Sequence, residues 1–299
     1  MNSKSMIEQH PLGATVAGHL AVEWIQRQNR CGHHSMKLVI AVQFWEGDKA
    51  QAMRLARLIA DIEPDRRDDV SLVLAGRYDI REDDPEVAET GLYCGRKFRV
   101  GLMRSHREAV GHPDGCFGLW AGTAENCYAA YAAGAPYDNV LFVEADGVPT
   151  RFDWIDFIKR QHQINLESGA YVTGPLMIES PFYPAHINGT MVMHMPAWAN
   201  LPSLHTCPAG QAWDCYHGST LVRVSGRRPG IANLYGTHSL SLSVFKTLAR
   251  DYAWVASVKD GSAYECAQTL IYDEWVKLLR TAWPEKKEAR FDEERKDGP

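Results

Sequence analysis

Asn139-Val-Leu-Phe-Val-Glu-Ala-Asp-Gly-Val-Pro149 is the stretch whose reading decides the fold. Val140 to Val143 form a short, continuous apolar run of strand length, with no alternation to mark a wet face. Such a run belongs in a sheet covered on both sides. It ends in two carboxylates, Glu144 and Asp146, one residue apart. In an extended segment those positions share a side. Ligands of open α/β sheets bind at the carboxyl ends of the strands, and two hard oxygen donors there suit Mn²⁺ or Mg²⁺. The plainer reading is that both side chains solvate a strand end.

Two similar runs lie upstream. Lys37-Leu-Val-Ile-Ala-Val-Gln43 and Val70-Ser-Leu-Val-Leu-Ala75 are β-branched and apolar. Between them, Asp48–Ile62 carries apolar residues at helical spacing, with Asp48 as candidate N-cap. This β-α-β beginning implies parallel strands with a right-handed crossover. A charged loop is expected up to Gly95, a short strand over Phe98–Met103, and a helix rich in small residues over Leu119–Gly134. Downstream, the pattern gives a helix over Asp153–Glu167, a strand over Ala170–Pro175 and an antiparallel strand over Ile187–His194. A mixed region follows, with a helix near Tyr264–Arg280. The expected fold is α/β, a Rossmann-type, mostly parallel central sheet flanked by helices. Residues 1–35 are expected to be a helical extension, 36–284 a single catalytic domain and 285–299 a charged tail.

The 299 residues are 45% hydrophobic and 23% charged, as in ordinary globular chains, with a net charge of -5. That balance does not advertise nucleic acid as a partner. The seven cysteines include no CxxC pair, which argues against a zinc knuckle and for reduced thiols. With no signal-peptide pattern and no apolar run of about 20 residues, a cytoplasmic protein without a membrane partner is expected.

The strand and acidic triplet resemble the DxD segment of GT-A glycosyltransferases, with Glu144 at the first acidic position. Gly118-Leu-Trp-Ala-Gly-Thr-Ala-Glu-Asn-Cys-Tyr-Ala-Ala130 is similar to the helix that precedes that segment in the family. The resemblance implies a GT-A-like fold with a mixed acceptor-side region. It also implies a nucleotide-sugar donor, a UDP-sugar by preference, and Glu144, Ala145 and Asp146 at its metal-bound diphosphate. Trp120 and Asn126 would sit on the helix beneath the nucleotide. The ends of the first two strands, Gln43 with Trp45 and Arg77 with Asp79, would line the nucleoside pocket. Trp45 serves equally well as core packing, and Asp79 as a solvated loop residue. Asn188 and Gly189 fall where the family's next strand faces donor and acceptor, although Gly189 can equally mark a bulge. Asp214 is the candidate general base, with Glu179 as fallback, and helix capping is the rival role for Asp214. His238 falls where a late histidine returns to the metal. The acceptor stays open among a saccharide, a small metabolite, a protein and a hydroxylated DNA base.

A rival reading is a metal-dependent hydrolase or phosphoesterase built on the histidine-rich 186–238 region, though no HExxH spacing occurs there. A nucleotidyltransferase would want a basic, glycine-rich loop after the first strand, where Gln43-Phe-Trp-Glu-Gly-Asp48 is acidic and aromatic. No P-loop, GxGxxG or GxSxG is present.

Overall fold

The computed structural model describes residues 36–178, 184–226, 230–234, 239–256 and 260–282. Its centre is β1 (Leu38–Phe44), every residue of which is buried. A strand with no wet face must be paired on both edges and covered on both sides. β1 pairs in parallel with β2 (Val70–Gly76) on one edge and with β4 (Asn139–Glu144) on the other. β3 (Arg99–Arg104) adds in parallel beyond β2. β9 (Met191–His194) runs antiparallel to β4, and β6 (Val172–Thr173) antiparallel to β9. The six-stranded order is β3-β2-β1-β4-β9-β6. The chain thus leaves β1 toward β2 and β3, then returns to its other side at β4. That reversal makes a crevice at the carboxyl ends of β1 and β4, where Gln43 stands opposite Glu144.

Alternation along β1 sends its side chains to two cores. Leu38, Ile40, Val42 and Phe44 join a cluster with α1 (Lys49–Ile62) and α4 (Trp154–Glu167). Val39 and Ala41 pack on the other side with Ala121, Ala124 and Cys127 of α3 (Asp114–Ala132). The small residues of α3 let its backbone approach the sheet closely. α2 (Pro85–Cys94) lies beside α1, and α5 (Met195–Asn200) packs on α3. Three further short strands, β5 (Val148–Pro149), β10 (Ile231–Asn233) and β11 (Trp254–Ala256), form a second sheet. β7 (Leu176–Met177) pairs with β8 (His186–Ile187). α6 (Trp213–Tyr216) and α7 (Gly218–Arg223) follow, then α8 (Leu242–Asp251) and α9 (Ser262–Ala282). Among the described residues, no helix is long and apolar enough to cross a membrane.

The mostly parallel sheet with flanking helices agrees with the expected α/β architecture. Several local expectations are corrected. The stretch before Gly95 is not a loop but contains α2, whose N-terminus is capped by the Asp84 carboxylate accepting from the Glu86 and Val87 amides, each at 3.1 Å. Asp48 is the N-cap residue of α1, as expected, but its carboxylate makes no cap bond and accepts from the Trp45 amide at 2.8 Å instead. α3 begins at Asp114 rather than Leu119. The strand expected over Ala170–Pro175 is only Val172–Thr173, and that over Ile187–His194 is broken at Asn188–Thr190 into β8 and β9. The expected extension at 1–35 and the tail at 285–299 lie outside the described residues.

At the amino end of β4 a polar chain crosses the core. Asn139 Oδ1 accepts from His162 Nε2 at 2.9 Å and from His194 Nδ1 at 3.0 Å. The other His162 nitrogen, Nδ1, accepts from Thr173 Oγ1 at 2.7 Å, and that oxygen accepts from Asn165 Nδ2 at 2.8 Å. Each bond is satisfied with both imidazoles neutral. Burial holds His162 down to about 3 and His194 to about 4. Both folded values lie below the ordinary 6.5. The stability they confer is therefore present above pH 6.5 and lost as pH falls from there toward 4, by about 2 kcal/mol each at pH 5. The melting temperature should drop through that window. His194→Gln, less stable at pH 7.5, should show a shallower drop; an equal slope in a pH series of thermal melts contradicts the assignment.

Candidate functional site

A cavity of about 430 Å³ occupies the crevice between the carboxyl ends of β1 and β4. Its walls come from four places. The end of β1 and the turn after it supply Gln43, Trp45 and Asp48; α3 and the residues before it supply His112, Pro113, Cys116, Leu119 and Trp120. The end of β4 supplies Glu144, Ala145 and Asp146, and the far wall is Asn188 with Ala212, Trp213 and Asp214.

The acidic triplet is shaped by a turn rather than by an extended strand. β4 stops at Glu144, whose carbonyl accepts from the Gly147 amide at 3.1 Å. A β-carbon at Gly147 would collide with the Trp254 indole, so this tight turn requires glycine. Ala145 and Asp146 are buried at 6% and 9% exposure, and Glu144 is half-buried. Opposite them, Asn188 Oδ1 accepts from the Thr190 amide at 3.1 Å, which holds the Asn188–Thr190 turn. A β-carbon at Gly189 would lie 2.5 Å from Glu144 Oε1 and 3.6 Å from the Trp213 ring. A side chain at Gly189 would therefore crowd the Glu144 carboxylate.

The floor is aromatic. Trp120 and Trp213 stack with ring centroids 4.0 Å apart and an interplanar angle of 15°. Trp198 meets Trp120 edge-on at 5.4 Å. Gln43, buried beside them, donates from Nε2 to Thr123 Oγ1 at 3.2 Å and to the Leu119 carbonyl at 3.4 Å. Trp45 stands at the mouth, 47% exposed, with the Arg77 guanidinium 5.4 Å from its ring centroid.

Four carboxylates, those of Asp48, Glu144, Asp146 and Asp214, stand on the walls of the cavity. The Cys116 thiol registers the charges nearby. Burial raises it above its ordinary range first, Glu144, Asp214 and Asp48 raise it further, and Arg77 opposes them.

Of the residues singled out in the sequence, Gln43, Trp45, Trp120, Glu144, Ala145, Asp146, Asn188 and Asp214 meet in this cavity, and Gly189 borders it. Arg77 lines an adjoining hollow with Trp45, His112 and Cys116. Its guanidinium is paired with Asp79 through bonds of 2.8 and 2.5 Å, so Asp79 braces Arg77 and does not line the cavity. Asn126 also lies off the cavity, donating to the Arg104 carbonyl at 3.0 Å. Glu179 and His238 lie outside the described residues. Asp48, His112, Pro113 and Cys116 were missed by the sequence reading. Cys116 falls four residues before Trp120, on the same helix face, a spacing that could have revealed it.

The histidines do not form one centre. His194 belongs to the buried Asn139 network, His205 stacks on Trp198 at 4.6 Å, and His217 is buried beside Phe117. His186 comes near a carboxylate of the cavity, with Nε2 3.9 Å from Asp214 Oδ2.

No protein-family model matches the chain, and no curated protein matches it. Among solved structures, the chain is similar to the apo form of the bifunctional glycosyltransferase WbbM at 10% identity and a TM-score of 0.48, over 81% of this chain and 52% of that one. It is similar to the glycosyltransferase GlyE of Streptococcus pneumoniae TIGR4 at 10% identity and 0.46, over 81% and 64%. An active-site mutant of LgtC gives 10% and 0.47, over 79% and 95%. The chain thus spans 52% and 64% of the length of the first two.

The tryptophan floor should be a stability element as well as a surface. Trp213→Ala removes a ring that is 6% exposed and should lower the unfolding free energy in urea by about 3 kcal/mol. Trp213→Phe should lose less than half of that; equal losses contradict a packing role for the stacked pair.

Proposed function

We propose that this chain is a metal-dependent glycosyltransferase that moves a sugar from a nucleoside-diphosphate sugar to an acceptor hydroxyl. The observation that carries the reading is the position of Glu144 and Asp146 on one turn at the carboxyl end of β4, facing the cavity at the switch point of the mostly parallel sheet. A divalent cation held there would give a diphosphate a partner of opposite charge. Glu144 and Asp146 would hold such an ion through hard oxygens on one turn, leaving positions for phosphate oxygens and water. Bound there, Mn²⁺ or Mg²⁺ would supply electrostatic stabilisation of the leaving diphosphate.

The remaining roles follow from position. Trp45, half-exposed at the mouth and braced by Arg77, offers a flat ring for a nucleobase. Gln43, fixed through its amide nitrogen, keeps its carbonyl oxygen for a donor group on the nucleoside. The Trp120–Trp213 floor and the side-chain-free edge at Gly189 leave room for the sugar. Asp214 sits across from the triplet with its side chain 24% exposed, placed to take the proton from an acceptor hydroxyl entering from solvent. Glu179 remains the fallback base and His238 a third metal ligand in this proposal. A UDP-sugar is the first donor to test, and the acceptor classes are those given above. A histidine-based hydrolase is not favoured, because His194, His205 and His217 are engaged elsewhere.

A thermal-shift panel of nucleoside diphosphates with and without Mn²⁺ tests the proposal. One nucleotide should raise the melting temperature by several degrees only when Mn²⁺ is present, and Asp146→Asn should abolish the rise. Asp214→Asn should keep the rise and lose about 10²-fold or more in transfer once an acceptor is found. Equal shifts without metal, or a full shift in Asp146→Asn, contradict the proposal.

A further inference from the structure

We propose that His186, Asp214 and Cys215 form a second metal site, distinct from the carboxylates at the end of β4, that takes Zn²⁺ or a similar borderline-soft divalent ion. One ligand atom from each of the three lies within 4.8 Å of the others, and all three side chains are half-buried. The set mixes imidazole, carboxylate and thiolate, which zinc accepts and Mg²⁺ does not favour.

The hydrogen bonds around the cluster aim its atoms inward. His186 Nδ1 lies 2.9 Å from the Pro184 carbonyl, which can only accept, so the hydrogen is on Nδ1. In the neutral ring, Nε2 then presents a bare lone pair. It faces Asp214 Oδ2 at 3.9 Å, beyond hydrogen-bond reach. That gap is about the sum of one zinc–nitrogen and one zinc–oxygen bond, so an ion fits between the two atoms. The other Asp214 oxygen, Oδ1, is occupied by the Cys215 amide at 2.9 Å, which fixes the carboxylate with Oδ2 toward His186. A backbone carbonyl fixing the second nitrogen of a ligating histidine is the usual outer support of such sites. Burial, the Asp214 charge and a hydrogen bond to Asp214 push the Cys215 thiol up to about 11. The thiol is therefore protonated in the metal-free protein at neutral pH. On binding, the S–H proton passes to solvent as the sulfur–metal bond forms.

Asp214 also lines the cavity at the end of β4, so the two sites share this residue's surroundings. The site itself stands independently of the proposed transferase activity. If that activity holds, filling the site ties up the carboxylate assigned to proton removal, and Zn²⁺ inhibits where Mn²⁺ activates.

Cobalt titration of the metal-free full chain tests the site, because Co²⁺ bound to a thiolate gives a sulfur-to-metal charge-transfer band in the near ultraviolet. The wild type should develop the band at about one equivalent, and Zn²⁺ should displace it. Asp146→Asn should keep it, Cys215→Ser should lack it, and His186→Gln should bind cobalt about tenfold or more weakly. No band in the wild type overturns the proposal, a result that needs no variant to fold. So does a band that survives Cys215→Ser or disappears in Asp146→Asn. A missing nucleotide-dependent Mn²⁺ shift would leave this spectrum unchanged, so the two proposals fail separately.

Discussion

The complete burial of β1 constrains everything around it. Seven consecutive residues without a wet face oblige the chain to lay β2 on one edge and β4 on the other, and to put helices over both faces. Because the chain fills one edge first and returns to the other, the loops after β1 and β4 leave the sheet in different directions. The gap between them is the cavity, and the register of β1 on β4 decides what faces it. With Gln43 opposite Glu144, the last polar side chain of each strand stands at the rim. A slip of one residue would turn the side chains of β4 to the opposite faces and take Glu144 from its place opposite Gln43.

The carboxylates of the cavity have separate supports. The Asp48 carboxylate is tied to the Trp45 amide, and that of Asp214 to the Cys215 amide. The Glu144 carboxylate lies against Gly189, where a side chain would crowd it. A cation bound only by the folded chain would stabilise it by mass action. The two ends of the cavity differ in chemistry. The β4 end offers hard oxygens, whereas Asp214 at the α6 end also lies beside His186 and Cys215.

What the sequence revealed depended on periodicity. The buried strands were legible because four to seven apolar residues in a row allow little else, and the triplet was legible because it ends such a run. α2 was missed because its charged surroundings masked it, although Asp84-Pro85 is a helix-start signal of capping residue followed by proline. The break at Asn188–Thr190 was signalled by Asn188-Gly189, a turn dipeptide, but the apolar residues that follow it favoured one continuous strand. Side-chain direction was the other gap. Asn126 sits on the expected helix but points to the Arg104 carbonyl, and Asp79 turns back onto Arg77. Spacing along one segment could not bring Asp48, Cys116 and Asp214 together, because three separate connections converge on them.

The central claim is that this cavity accepts a diphosphate only through a divalent cation. Equilibrium dialysis of labelled UDP against the full chain, first in EDTA and then in Mn²⁺, tests it most directly. The account predicts saturable retention of the nucleotide in Mn²⁺ and none in EDTA. Retention of equal strength in EDTA would contradict it.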